Sequence, residues 1–414
     1  MIKNNKVELM APAGNFESLN AAIKAGANSV YFGIKGLNMR SLGAKNFELK
    51  DLNQIVKICK ENNVKTYLTL NTVIYDNDFE LMKKIIHAAK ENEIDSIIAM
   101  DMSVVNYCKQ IEMNVHISTQ ANISNIEAVK FYSQFSDTLV LARELSLQQI
   151  KNISEEIKKQ NIKGPSGNLV KIEIFIHGAL CVSISGKCYM SLASYNKSAN
   201  RGECLQVCRR KYKVIDEETN NELVIDNKYV MSPSDLCTIR ILDKIISSGV
   251  SILKIEGRGR SADYVYTVVK VYREAVDAYY ENEYNENKFE LWENKLKSVF
   301  NRGFWHGGYY LNEKVSEWSN VYGSKATKKK IYVGDVTNFY SKKSVADIDL
   351  KSEEINLDDE FLIIGNTTYI EGKIKSIHTD KGSVNKAKKG QLVSITVPEK
   401  VRKNDKFYIL KINE

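Results

Sequence analysis

Residues 52–71 read L-N-Q-I-V-K-I-C-K-E-N-N-V-K-T-Y-L-T-L-N, and the apolar period changes once within them. Over 52–61 the apolar side chains recur at helical spacing and would share one face of a helix. Over 65–70 the run is short and β-rich, the pattern of a strand. The pair then repeats, with helical spacing over 79–92 and an apolar run at 96–100. Outward from there, similar runs stand at 7–10, 29–32, 115–118, 138–141, 172–176 and 252–255, making eight. Eight alternating strand and helix units predict an α/β fold of the TIM-like (β/α)8 barrel type rather than an open doubly wound sheet.

The chain has 414 residues, 43% of them apolar, enough for a large core and one smaller unit. The interval between the seventh and eighth runs, about seventy residues, breaks the rhythm and reads as a cysteine-bearing insertion at about 178–235. Helical spacing at 264–280 then follows the eighth run. Beyond 328 short strands, at 330–333, 360–364 and 392–397, alternate with Gly, Asn, Asp and Lys turns. The expected organisation is a barrel over 1–327 and a small all-β barrel domain over 328–414. No apolar run approaches the roughly 18–20 residues of a membrane span, and the first ten residues lack a signal-peptide core, so a cytoplasmic protein away from membranes is expected.

Polar residues stand at or just past every predicted strand: Asn15, Asn38 and Arg40, Asn71, Asp101, Thr119 and Gln120, Arg143 and Glu144, His177, then Glu256 and Arg258. Each alone merely begins a loop. In a barrel those ends converge on one face, and a ring mixing Arg, Glu, Asp and His favours a site there.

Seven cysteines, an odd number in a chain expected to sit in a reducing compartment, argue against a disulfide framework. Cys59 and Cys108 fall on predicted helices and read as core, and Cys237 reads as an inert residue at a helix start. Cys181, Cys188, Cys204 and Cys208 are separated by six, fifteen and three residues. Structural zinc sites pair C-x₂₋₄-C knuckles, and only the second pair here approximates one. Four thiolates on a long loop suit metal binding, with iron–sulfur and zinc both open on softness alone.

Lys187, Lys197, Arg201, Arg209 and Arg210 surround these cysteines with Tyr189 and Tyr195 interleaved. Cations beside aromatics match a phosphate backbone and unstacked bases, although solvated surface charge accounts for them equally well. The net charge of +8 permits an RNA partner without requiring one, and a lysine-rich stretch from Lys386 to Lys406 makes the second domain a candidate RNA-binding module. In L-K-I-E-G-R-G-R, Glu256, Arg258 and Arg260 either hold an anionic ligand or form a rim ion pair. His177, four residues before Cys181, could orient a metal group, transfer protons or cap its strand.

The segments E-L-M-A-P-A-G-N from Glu8, V-Y-F-G-I-K-G-L-N-M-R from Val30, H-I-S-T-Q-A from His116, V-L-A-R-E-L-S-L from Val140, S-P-S-D-L-C from Ser232, L-K-I-E-G-R from Leu253 and F-N-R-G-F from Phe300, with the cysteine segment, resemble peptidase family U32, the collagenase-like proteases. With the appended β domain the chain looks most like the branch that hydroxylates tRNA uridine at carbon 5, at the wobble position. That resemblance implies a [4Fe–4S] cluster on Cys181, Cys188, Cys204 and Cys208, with prephenate as co-substrate. It makes Arg40, Arg143 and Arg258 candidates for the carboxylates of that small metabolite, with Asn71, Gln120 and Arg260 as further substrate contacts. Asp101, His177 and Glu256 become proton-transfer candidates, and Lys187, Arg201, Arg209 and Arg210 tRNA contacts. A protein partner of the same family is a further implication. Gly259-Arg260 departs from the family's usual Met-Lys, and Lys197 replaces a usual Arg. A peptidase would lack H-E-x-x-H and G-x-S-x-G and would need His177 with Cys181 or Cys237, or an unidentified metal. A non-catalytic cluster-bearing RNA-binding or assembly factor would need no polar ring.

Overall fold

A computed structural model describes residues 6–223, 229–312 and 318–413. Eight parallel strands are laid down in chain order: β1 (Glu8–Ala13), β2 (Ser29–Phe32), β3 (Lys65–Leu70), β4 (Ser96–Ala99), β5 (Val115–Ile117), β6 (Thr138–Val140), β7 (Lys171–Gly178) and, after β8 (Val214–Ile215), β9 (Glu222–Leu223) and β10 (Asp235–Cys237), β11 (Ile252–Ile255). Each pairs with the next, and β11 pairs with both β7 and β1, so the sheet closes. The eight-stranded barrel expected from the repeating pattern is therefore present.

The local reasons are those of the opening stretch. Helix α1 (Phe16–Lys24) starts at Asn15, whose side chain accepts from the Ser18 amide at 2.8 Å. Along α2 (Leu52–Glu61) the buried residues are Leu52, Ile55, Val56 and Cys59, the stripe that a 3.6-residue period turns toward a sheet. Helices α3 (Phe79–Glu91), α4 (Met102–Gln110), α5 (Ile126–Ser133) and α6 (Leu147–Lys159) cover the next strands in the same way. All four residues of β2 and of β4 are buried, because a barrel strand faces helices outside and packed side chains inside. Met10, Tyr31, Tyr67, Ile98 and Ile252 form an interior cluster separate from the outer core.

Cys237 is one departure from expectation. It lies in β10, not at a helix start, and β10 runs antiparallel to β7 with Cys237 opposite His177. A three-residue strand has too few positions to show an alternation. Helices α7 (Met190–Tyr195), α8 (Leu242–Ser247), α9 (Ala262–Tyr280) and α10 (Glu286–Ser298) follow, and β12 (Phe304–His306) adds parallel to β10.

The C-terminal strands are β13 (Lys328–Tyr340), β14 (Val345–Leu350), β15 (Ile355–Asn356), β16 (Glu360–Gly365), β17 (Thr368–Lys373), β18 (Ile377–Thr379), β19 (Gly382–Val384), β20 (Lys386–Ala387), β21 (Leu392–Thr396) and β22 (Lys406–Ile412). Eight of them form one antiparallel sheet, ordered β17-β16-β22-β13-β14-β21-β18-β19, around a separate core that includes Val333, Ile348, Phe361, Ile395 and Phe407. Its outer strands β17 and β19 do not pair with each other among the described residues, so the hydrogen bonding is that of an open sheet rather than the closed barrel expected. The sheet meets the barrel helices through Ala21 and Ala262 against Leu362, Ile364 and Tyr369. There the Tyr266 and Tyr369 rings stack at 4.1 Å. No helix among the described residues is long and apolar enough to cross a membrane.

Candidate functional site

The loops after the strand ends build one cavity of about 170 Å³ at the C-terminal mouth of the barrel. Asn71 follows β3, Ser118, Thr119 and Gln120 follow β5, Arg143 follows β6, and Lys254, Glu256 and Arg258 lie at or after the end of β11. Cys181, Cys188, Cys204 and Cys208 line the same cavity. Cys181 is exposed and the other three are half-buried, and the thiol of Cys208 is pushed up first by burial and then by the charges of the other cysteines. Among the described residues no three His, Cys, Asp or Glu side chains converge closely enough to chelate a single ion.

Two arginines hold the cysteine segment down. Arg201 donates to the Val73 carbonyl at 2.8 Å, pairs with Asp78 and lies over the Tyr75 ring at 4.2 Å. Arg209 is buried and donates to the Ser232 hydroxyl at 2.9 Å, the Pro233 carbonyl at 2.7 Å and the Leu180 carbonyl. Both were expected at RNA, and both instead use their forks on the protein's own oxygens. Lys187 is exposed, and Arg210 is exposed with its guanidinium on Tyr195. Among the C-terminal strands Lys386 pairs with Glu354 at 2.6 Å and Lys406 with Asp335 at 2.7 Å, which leaves less free positive charge than the sequence count suggests.

Between the arginines, Gly202 has φ +84°, and a Cβ there would stand 2.1 Å from the Asn38 carbonyl oxygen. Gly202→Ala is expected to cost roughly 1–3 kcal/mol by combining a left-handed backbone with a clash. It should also loosen Cys204. A lower urea midpoint together with faster labelling of Cys204 by a thiol reagent checks both effects.

The charged groups of the cavity are strongly coupled. Glu256 accepts from Arg40 Nη2 at 2.7 Å and lies 3.2 Å from the Tyr31 hydroxyl. Burial pushes its carboxyl up, but Arg40 foremost, with Arg143 and Arg258 behind it, outweighs burial and holds the carboxyl at about 2. Arg258 is buried and donates to Thr69 Oγ1 and Asn38 Oδ1, and burial pulls its guanidinium down to about 10. Arg143 lies over the Phe175 ring at 4.6 Å and donates to the Ala179 carbonyl at 3.0 Å, with its Nε unpartnered among the described residues.

Beneath them lies a buried triad that sequence reasoning missed. Lys254 Nζ is 2.7 Å from Glu173 Oε1, and His116 Nδ1 is 3.1 Å from Glu173 Oε2. Burial raises the Glu173 carboxyl, yet Lys254 and His116 bring it down to about 2. Lys254 also sits 4.7 Å from the Tyr31 ring and lines the cavity floor. The signal was present, since Glu173, His116 and Lys254 are ionisable residues in the middle of otherwise apolar barrel strands.

Two of the proton-transfer candidates stand elsewhere. Asp101 caps α4, accepting from Ser103 N at 2.9 Å with one oxygen and from Ile74 N at 2.9 Å with the other. His177 is buried against Tyr264, Tyr272 and Phe304, with Nδ1 3.3 Å from the Tyr272 hydroxyl. Burial, and then His306, hold it neutral down to about 3. Neither lines the cavity. Arg260 also lies outside it, in a neighbouring one. Asn71 accepts from the Met39 amide at 3.2 Å, and Gln120 packs over Gly186, both on the cavity wall. Buried Cys59, Cys108 and Cys237 thiols are each pushed up to about 12 by burial, which makes them poor nucleophiles.

Fold and site together define a (β/α)8 barrel protein with a thiol- and arginine-lined cavity at the C-terminal mouth of the barrel. The chain belongs to Peptidase family U32, whose profile matches residues 14–320. It is 51% identical over 98% of both chains to a protein named Collagenase from Porphyromonas gingivalis. It is 33% identical to tRNA hydroxylation protein P1 of Bacillus subtilis, over 81% of this chain and 78% of that one. It is 35% identical to the 23S rRNA 5-hydroxycytidine C2501 synthase of Escherichia coli, over 67% of this chain and 40% of the relative.

Proposed function

We propose that this chain is a cytoplasmic tRNA-modifying enzyme that hydroxylates uridine at carbon 5, at the wobble position, with a [4Fe–4S] cluster on Cys181, Cys188, Cys204 and Cys208 and prephenate as co-substrate. The observation that carries the reading is the single cavity lined by four thiols together with Arg40, Arg143, Lys254 and Glu256. Relatives named for tRNA and rRNA hydroxylation support the substrate class. Four thiols on one cavity wall are the donor type that a cubane takes, since its four thiolate bonds go to four separate irons and need no common centre.

When bound, such a cluster supplies one-electron redox chemistry at the cavity. The chain's own residues then do the rest. Arg143, with its free Nε, and Arg40 hold the co-substrate carboxylates, and Phe175 and Met39 exclude water around it. Glu256, ionised at neutral pH, is a proton acceptor, and the Lys254 ammonium steadies negative charge from below. Lys187 and Arg210 meet phosphates at the rim, where Tyr189, 70% exposed, offers a ring to an unstacked base.

The name of the Porphyromonas relative favours a peptidase. Against that reading, no histidine lines the cavity, and Cys237 is a buried, protonated thiol opposite a buried, neutral His177. One experiment separates the two. Nucleosides of tRNA from a deletion strain are compared after complementation with wild type or Cys204→Ser, and the anaerobically purified protein is assayed for iron. The expected result is restoration of hydroxyuridine-derived nucleosides by wild type alone, with iron lost in Cys204→Ser. Nucleosides unaffected by the deletion would sink the hydroxylase, and cleavage of collagen by iron-free protein would establish the peptidase.

A further inference from the structure

A second cavity, of about 150 Å³, lies beside the first and shares with it Arg40, Arg143, Glu256 and three of the cysteines. Its remaining wall includes Arg209, Arg260 and Arg302, contributed by three distant parts of the chain, among uncharged residues such as Leu180 and Gln206. Arg302 is 6% exposed, and neither its Nε nor its Nη1 has a hydrogen-bond partner among the described residues. Arg260 lies on the Phe300 ring at 3.5 Å, and Arg302 reaches the same ring at 5.1 Å. The side chain of Arg260 makes no hydrogen bond to any described residue.

The counter-charge is short. Asp235 is buried, with its carboxylate 3.5 Å from Arg302 Nη1, outside hydrogen-bonding geometry, and its Oδ1 is unpartnered. Burial first, and the like charge of Arg302 behind it, lower the basicity of Arg260. Arg209, Arg260 and Arg302 thus share two carboxylates, Asp235 and the cavity's Glu256, and Glu256 is already paired with Arg40. Buried cations without partners are costly, and donors left open in a pre-shaped cavity are what an oxyanion satisfies. Stacking on Phe300 fixes the plane of the Arg260 fork, so little side-chain freedom remains to be lost on binding.

We infer that Arg260 and Arg302, backed by Arg209, form an oxyanion-binding site adjoining the cysteine-lined cavity, for a carboxylate or phosphate group. The inference does not depend on the reaction proposed above. The volume suits a group of about benzene size, not a nucleoside, so the oxyanion belongs either to a small free acid or to an RNA phosphodiester beside the bound base.

The test uses the full-length protein and the variants Arg260→Gln and Arg302→Gln, with malonate and inorganic phosphate as small probes and total tRNA as the polymer. Arg302→Gln leaves Asp235 without its cation and is the variant at risk of misfolding. Arg260→Gln removes a side chain that packs on the Phe300 and Tyr264 rings and makes no hydrogen bond to a described residue, and its circular dichroism should match wild type. If the ligand is a free acid, malonate or phosphate binds the wild type in calorimetry and raises its Tm, and Arg260→Gln weakens that binding at least tenfold. If it is a phosphodiester, the small probes fail on all proteins, while tRNA affinity falls about tenfold in Arg260→Gln and the salt slope of binding drops by about one. Small-probe and tRNA binding unchanged in Arg260→Gln overturn the site. So does a variant that alters only iron content or visible absorption, because the arginines would then serve the thiolates alone.

Discussion

Glu173→Gln is expected to destabilise the barrel by about 3–5 kcal/mol, the usual cost of leaving one member of a buried ion pair alone. Glu173 is wholly buried, and its two oxygens face Lys254 at 2.7 Å and His116 at 3.1 Å. Removing its charge strands the Lys254 ammonium among the rings of Tyr31 and Phe175. Replacing both partners, as in Glu173→Gln with Lys254→Met, should recover most of the loss, since no unpaired charge then remains. Urea unfolding checks this through the midpoints, with slopes unchanged. Because the folded carboxyl sits near 2, below its unfolded value near 4.5, its contribution is complete above about pH 4.5 and fades as pH falls toward 2. The acid limb of stability should therefore flatten over that window in Glu173→Gln.

The barrel was legible because its signal is repetition. The runs at 29–32, 65–70 and 252–255 became β2, β3 and β11 with the same limits, and the stripe from Leu52 to Cys59 is buried as helical spacing requires. Strand ends were harder to read for function, since the same position serves chemistry and architecture. Asp101 and Arg143 both follow a strand, yet one caps a helix and the other lines the cavity. Nothing local distinguishes them, because the Ile74 amide that occupies Asp101 comes from another loop. Arg209 misled for a related reason: a cation beside cysteines and tyrosines resembles a nucleic-acid contact until the carbonyls of Leu180 and Pro233 are found folded against it. Glu173 and Lys254 were legible in principle, as charges inside apolar strands, but only once both strands are known to face one barrel interior.

Glu256→Gln is expected to lower hydroxylation by about 10²–10⁴-fold while tRNA binding stays within a few-fold, if the carboxylate acts as a proton acceptor in the cavity. Its ionisation depends on Arg40, 2.7 Å away, which outweighs the effect of burial. A carboxyl held near 2 is ionised across the physiological range, so the wild-type rate should not fall through Glu256 protonation until well below pH 4. Arg40→Gln removes the main attraction and leaves burial opposed only by Arg143 and Arg258, which raises the carboxyl. In that variant, measured at saturating co-substrate because Arg40 also holds its carboxylates, the acid limb of the single-turnover rate should move upward by at least one pH unit and the activity should partly return at alkaline pH. In Glu256→Gln neither should happen, because no carboxyl remains to titrate. A pH profile unaltered by Arg40→Gln would mean that the pair positions the Glu256 and Arg258 loop without handling protons, and the proton acceptor would then have to be sought elsewhere on the cavity wall.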